Sequence, residues 1–237
     1  MNQLSTTGQK ALKTMRNRLC FTKKGQKLRF DFYFYWNLFP QDFYQIRRVI
    51  ERVHYLQDFN FKTSTKQQIT DENLFQLCEG LKRCVFLTKL SFYFGHCEDD
   101  ILTDYGCQHL SKCIKRLVLL QNLSLSIPLS NNMTDAGIRG IGKALKRLIY
   151  LQNISFDFYW SCKITSKGVE FILECTKRHP FLKGISINFD ACDGFGKETM
   201  IKMIEEYPLF ILVSNCDLKL NYGVSFGNRM IDSSRNY

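Results

Sequence analysis

The sequence predicts an α/β solenoid in which a short parallel strand and a helix alternate along one chain. Three observations carry that expectation. A pattern Leu-x-x-apolar-x-apolar-x-apolar begins at Leu56, Leu87, Leu120, Leu151 and Leu182, at spacings of 31, 33, 31 and 31 residues, and recurrence at a near-fixed period is the signature of stacked repeats. A second recurrence begins at Thr70, Thr103, Thr134 and Thr165 and runs seventeen residues to the next leucine. Composition allows it: 237 residues with 45% hydrophobic and 23% charged content can bury one sizeable core.

Each element has a local reason. Within a copy the apolar residues alternate, as in Leu123, Leu125 and Ile127 or Ile154, Phe156 and Phe158, which a strand buried on one face requires. Degenerate copies start at Gly25, with Leu28, Phe30 and Phe32, and at Leu209, with Leu212, Ser214 and Cys216. The threonines predict helix starts, because a threonine hydroxyl accepts a hydrogen bond from an otherwise unpaired amide of the first turn. Asp71, Asp104 and Asp135 follow them, where a carboxylate favours the positive end of the helix dipole. Seven residues after each threonine stand the expected core anchors Leu77, Leu110, Ile141 and Ile172. Ten residues after it stand Gly80, Cys113, Ala144 and Cys175, small enough to let each helix lie close to the strand layer. Leu12, Met15 and Leu19 recur at helical spacing, so residues 8–21 are expected to form an amphipathic helix capping the first strand. The expected organisation is a basic arm and capping helix over 1–24, a solenoid of six to seven units over 25–216 and a polar tail over 217–237.

The helix starts Thr103-Asp104-Tyr105-Gly106 and Thr134-Asp135-Ala136-Gly137, joined to the Leu-x-x-Leu-x-Leu strands, resemble leucine-rich repeats of the ribonuclease-inhibitor-like subfamily. The resemblance covers about residues 25–210. It implies a right-handed leucine-rich-repeat solenoid, a horseshoe with the parallel sheet on its concave face and helices on its convex face. It also implies binding or scaffolding, while leaving the ligand open. The sequence departs from that pattern in its longer units, in Phe at many Leu positions, and in lacking a regular Asn or Cys in the turn after the strand.

On such a solenoid the strand residues between the buried ones face outward. The middle positions are Arg29, Asn60, Ser91, Ser124, Ser155 and Ser186, flanked by Lys89 and Tyr93, Asn122 and Ser126, and Asn153 and Asp157. Such a small polar face either receives another backbone closely or is simply solvated. Aromatic anchors for a partner are sparse, Tyr93 being joined by Tyr33, Tyr35 and Trp36 near the first copy and Trp160 beyond a strand.

The formal charge of +11 is unevenly spread. The first 30 residues contain Lys10, Lys13, Arg16, Arg18, Lys23, Lys24, Lys27 and Arg29 and no acid. Twelve and thirteen residues after each threonine comes a basic pair, Lys82-Arg83, Lys115-Arg116, Lys146-Arg147 and Lys177-Arg178, with Arg52 in the same register. Each pair is expected in the last turn of its helix, forming a basic ladder along one edge. The ladder suits RNA phosphates or an acidic protein surface. It equally suits helix ends, whose negative dipole cations offset.

Enzyme chemistry finds no support in the residues. His54, His96, His109 and His179 fall in different repeats with no recurring nucleophile or acid beside them. His96-Cys97-Glu98-Asp99-Asp100 lacks a second Cys or His at zinc spacing. Gly194-Phe195-Gly196-Lys197 fails as a phosphate loop, since Ala191 stands where the first glycine belongs and Glu198 where the magnesium-binding hydroxyl belongs. The expectation is a non-enzymatic protein-interaction scaffold, a subunit of a larger assembly, with no cofactor, metal or small-molecule substrate. The alternative is an RNA-contacting component of a ribonucleoprotein. Ten cysteines scattered among apolar segments without a secretory signal suggest reduced thiols in an intracellular, cytoplasmic protein. The acid-free start keeps a mitochondrial destination as the second choice, and membrane contact is not expected.

Overall fold

Among the described residues eight strands form one sheet in strict sequence order, and helices connect them. The computed structural model describes residues 19–20, 28–34, 38–63, 69–95, 102–189, 197–207 and 210–212. The strands are β1 (Leu19–Cys20), β2 (Leu28–Phe34), β3 (Leu56–Thr63), β4 (Lys89–Tyr93), β5 (Asn122–Ser126), β6 (Asn153–Asp157), β7 (Gly184–Asn188) and β8 (Phe210–Leu212). From β2 to β8 all neighbours are parallel, while β1 pairs antiparallel with β2. The crossovers carry α1 (Pro40–Ile50), α2 (Asp71–Leu81), α3 (Asp104–Ile114), α4 (Asp135–Leu145), α5 (Ser166–Thr176) and α6 (Lys197–Glu206). No described helix is long and apolar enough to cross a membrane.

The two periods meet in a single core. Leu90 and Phe92, Leu123 and Leu125, Ile154 and Phe156, and Ile185 and Ile187 are buried from the strands, and Leu77, Leu110, Ile141 and Ile172 are buried from the helices. The phenylalanines at leucine positions are concentrated early. Phe59, Phe61, Phe92 and Phe94 pack edge-on or stacked with ring centroids 5.4 to 6.5 Å apart, so their larger volume is taken up by one shared cluster. After β5 and β6 the chain turns through left-handed residues, Leu129 at φ 59° and Trp160 at φ 55°. Side chains rarely adopt that conformation, and its recurrence 31 residues apart makes the turn part of the repeat.

Four expectations need correction. Leu19–Cys20 are strand, held on the edge of β2, so the helix expected over 8–21 does not include these two residues and the rest of it lies outside the described residues; pairing gives the edge of β2 a hydrogen-bonded cover. Both terminal copies are displaced by two residues. Asp31, not Arg29, lies opposite Asn60, and Arg29 lies opposite Asp58. At the other end Phe210 lies opposite Ile185 and Ile211 opposite Ser186, so the last strand begins before Leu212 and Ser214 falls outside the described residues. A shift of two keeps every side chain on its face, which is why alternation alone could not fix these registers. Gly80, the first of the small positions, faces the neighbouring helix: a Cβ there would come within 3.2 Å of Arg47 Cα and Ile50 Cβ of α1. Finally, Lys82, Lys115, Lys146 and Lys177 are the C-caps of α2 to α5 and their arginines follow, so the rungs sit just past the last turn.

Candidate functional site

Three surfaces come out of this scaffold. The first is the open sheet face, where register aligns Ser91, Ser124, Ser155 and Ser186 in one row and Lys89, Asn122 and Asn153 in another. Tyr93, Ser126, Asp157 and Asn188 form the third. Side chains in these rows bond to one another across strands. Ser124 Oγ donates to Tyr93 Oη at 3.3 Å, Asn153 Nδ2 to Asn122 Oδ1 at 2.8 Å, and Ser126 Oγ to Asp157 Oδ2 at 2.9 Å. Asp157 also accepts from Asn188 Nδ2 at 3.0 Å and from the Tyr159 amide at 3.2 Å. Lys89, Tyr93, Asn153 and Ser155 are exposed, and Ser91, Asn122, Ser124 and Asp157 are half-buried. Much of this face's hydrogen-bonding capacity is spent internally.

The second surface is a ladder of helix starts, where Asp71, Asp104 and Asp135 stand in the first turn of their own helices, as expected, and also reach the next repeat. Asp71 does not simply flank its own helix: Oδ1 accepts from the amides of Thr103 and Gly106 at 2.9 and 3.0 Å, and Oδ2 from the Thr103 hydroxyl at 2.7 Å. Asp104 repeats the arrangement on Thr134 and Gly137 at 2.6 to 3.0 Å, and Asp135 accepts from the amide and hydroxyl of Thr165 at 2.8 and 2.7 Å. Each carboxylate therefore caps the next repeat's helix. The glycine of the motif makes room, because a Cβ on Gly106, Gly137 or Gly168 would lie 2.4 to 2.5 Å from the preceding aspartate oxygen. This ladder ties each repeat to the next.

The third surface is the edge where helices return to strands. Arg52, Arg83, Lys115, Arg116, Lys146, Arg147, Lys177 and Arg178 are exposed there, and Lys82 is half-buried. Lys82 pairs with Glu79, and Lys177 with Glu174 at 2.7 Å. The other rungs make no ion pair among the described residues. A helix end carries roughly half a negative charge, so a two-cation rung more than offsets its dipole and leaves the edge positive. The arm residues Lys10, Lys13, Arg16, Arg18, Lys23 and Lys24 lie outside the described residues, as do His96 to Asp100, Tyr35, Trp36 and Gly194 to Gly196.

Beside the cations runs an apolar row that sequence reasoning missed. Tyr55, Phe86, Leu119, Tyr150 and Phe181 each immediately precede a repeat leucine, and Val85, Val118 and Ile149 stand one residue earlier. All are exposed, from 38% for Leu119 to 73% for Tyr55. Tyr55 stacks on Phe86 and Tyr150 on Phe181, with centroids 5.8 and 6.1 Å apart. The signal was available: the residue before each of the five repeat leucines is aromatic or leucine, at a position with no place in the core pattern.

Between the last two basic pairs the edge is indented by a recess of about 440 Å³, lined by Lys146, Ile149, Glu174, Lys177, Arg178 and His179 among others. Glu174 is held below the usual carboxylate range by its hydrogen bonds with Lys177 and with the Tyr207 hydroxyl. His179 Nε2 lies 2.9 Å from the Leu145 carbonyl, which can only accept, so Nε2 carries the proton. The same repeat position holds Cys84, whose thiol donates to the Val53 carbonyl; both residues tie one repeat to the one before.

Scanned against models of known protein families the chain matches none, and no curated protein matches it. No group of three or more metal-binding side chains occurs among the described residues. Cys78, Cys84, Cys107, Cys113, Cys162 and Cys175 are free thiols, and burial pushes Cys84 up to about 12 and also raises Cys78, Cys107 and Cys175. Thiols of that kind are protonated at neutral pH and poor nucleophiles.

Proposed function

We propose that the protein is a non-enzymatic interaction scaffold, a right-handed, horseshoe-shaped leucine-rich-repeat solenoid of the ribonuclease-inhibitor-like kind that binds protein partners within a larger assembly. The observation that carries this reading is the exposed apolar row from Tyr55 to Phe181 beside the cation rungs. A contiguous exposed apolar patch rimmed by polar groups marks a contact surface, and this one is repeated at every turn. The sheet face offers a second, polar surface whose internal hydrogen bonds preorganise it for close approach. Reduced, buried thiols favour an intracellular, cytoplasmic setting.

A photo-crosslinking residue at Phe86 or Tyr150, in the full chain in its own cells, tests the reading against the same residue at exposed Glu170 on α5. The expected result is a protein adduct at the edge positions that is lost when Leu119 is changed to Ser. Equal labelling from Glu170 sinks it.

RNA binding is the second reading, favoured by the rungs that make no ion pair. On that reading, charge reversal at Arg83, Arg116 and Arg147 weakens binding of single-stranded RNA and flattens its salt dependence by roughly one unit of slope per lost phosphate contact. No binding at moderate salt removes it.

A further inference from the structure

We propose that the rung-bearing edge docks an acidic, amphipathic segment of a partner protein, with one acidic side chain of that segment seated in the recess lined by Lys146 and Arg178. The inference rests on the scaffold reading and names the chemistry of the partner. Charge selects the occupant first. The recess contains three cations, Lys146, Lys177 and Arg178, against the single carboxylate of Glu174. That carboxylate is already engaged by Lys177 at 2.7 Å and by the Tyr207 hydroxyl, while Lys146 and Arg178 make no ion pair among the described residues. An incoming carboxylate therefore finds two cations that hold no ion pair of their own, in a recess where cations outnumber carboxylates.

The apolar row selects against nucleic acid. Nucleic acid offers apolar surface only as base faces, which bind by stacking on open rings. Here Tyr55 and Phe86 stack on each other, as do Tyr150 and Phe181, and the intervening Val118 and Leu119 are aliphatic. Those side chains complement aliphatic residues of a polypeptide. The recess, about 440 Å³, has room for an acidic side chain of such a polypeptide. With rings about 6 Å apart in the row, five rungs match about four turns of helix, or roughly sixteen residues.

Selection of displayed sixteen-residue peptides on the full-length protein tests this, with poly(U) RNA and phosphatidylserine vesicles as parallel probes. The expected peptides carry Glu or Asp beside a spaced apolar stripe. They lose on the order of tenfold in affinity against K146E/R178E, and similarly against I149S, with the circular dichroism of each variant unchanged. Their sequence-scrambled versions bind weakly. Scrambled peptides that bind equally reduce the effect to bulk charge and overturn the proposal. Peptides lost on S124W but not on the edge variants overturn it while leaving the scaffold reading intact. RNA or vesicles binding through Lys146 and Arg178 where no peptide is selected overturns both.

Discussion

The first two helices and the three that follow begin in different ways. In α1 the Asp42 side chain returns to accept from the Phe39 amide at 2.9 Å, and in α2 Thr70 and Asn73 cap each other at 3.1 Å in both directions. Those starts are closed from within. In α3, α4 and α5 the threonine still accepts from the second helical amide, at 3.1 to 3.3 Å, but the third helical position is Gly106, Gly137 or Gly168, and the place of its missing side chain is taken by the aspartate of the repeat before. The difference follows from what precedes each helix. Ahead of α2 the first helical position is Pro40, which has no carboxylate to offer, so Asn73 supplies its own cap. Ser166 takes the aspartate's place in α5, so the carboxylate ladder ends there. Capping by a neighbour converts a local interaction into coupling between repeats, the quantity that makes a stacked array cooperative.

The strongest way to break that comparison is Asp104→Ala. It removes three hydrogen bonds to a charged acceptor, each worth roughly 1.5 to 3 kcal/mol in isolation but not additive, so a loss of about 3 kcal/mol is expected in chemical denaturation. Amide exchange should quicken at Thr134 and Gly137 in α4, not at the start of α3. Gly137→Ala places a Cβ 2.5 Å from the same Asp104 oxygen and 3.1 Å from Cys107 Sγ, and is expected to cost about 2 kcal/mol. The double variant should cost at least about 1 kcal/mol less than the two single losses together, because only one contact is destroyed. Additive losses would mean that the aspartate and glycine act separately. The contrasting change, Asn73→Gly, should cost about 1 kcal/mol, the size of a local cap, and leave exchange in the neighbouring helices unaltered. A penalty matching that of Asp104→Ala would erase the distinction.

How much of this was legible follows from which signals are periodic. Leu123, Leu125 and their equivalents announced the strands, and Thr103 and Thr134 the helix starts, because core burial and capping act on one residue within its own repeat. The Asp71 to Gly106 contact spans 35 residues, so only the co-occurrence of Asp and Gly in one motif hinted at it. The exposed edge was half visible. The Lys-Arg pairs stand out as charge, whereas Phe86 and Tyr150, one residue before a core leucine, lie outside the alternating pattern that marks the strands. Exposure depends on a turn geometry that residue order does not encode. The terminal copies failed for a different reason, since a two-residue slip leaves alternation intact.

The smallest expected effect separates the same two regions by pH. Cys84, in the connection after self-capped α2, is raised by burial to about 12, while Cys107, inside neighbour-capped α3, is raised by burial first and then by Asp104 and Asp71. Unfolding returns a thiol to its ordinary value near 9. A raised folded value means the native state keeps its proton longer, so this stabilisation is complete below about pH 9 and is lost as pH climbs towards 12. At pH 10 Cys84 should account for about 1 kcal/mol of lost stability. Cys84→Ala should flatten the decline between pH 8.5 and 10.5, measured by urea denaturation. In Cys107 part of the shift belongs to the two carboxylates, so Asp104→Ala should itself weaken the alkaline decline at that thiol. The same substitution should leave the Cys84 contribution unchanged, since the carboxylate ladder begins only at Asp71 and reaches forward from it. A decline altered equally at both thiols would place them in one electrostatic environment and remove the boundary between the two kinds of repeat.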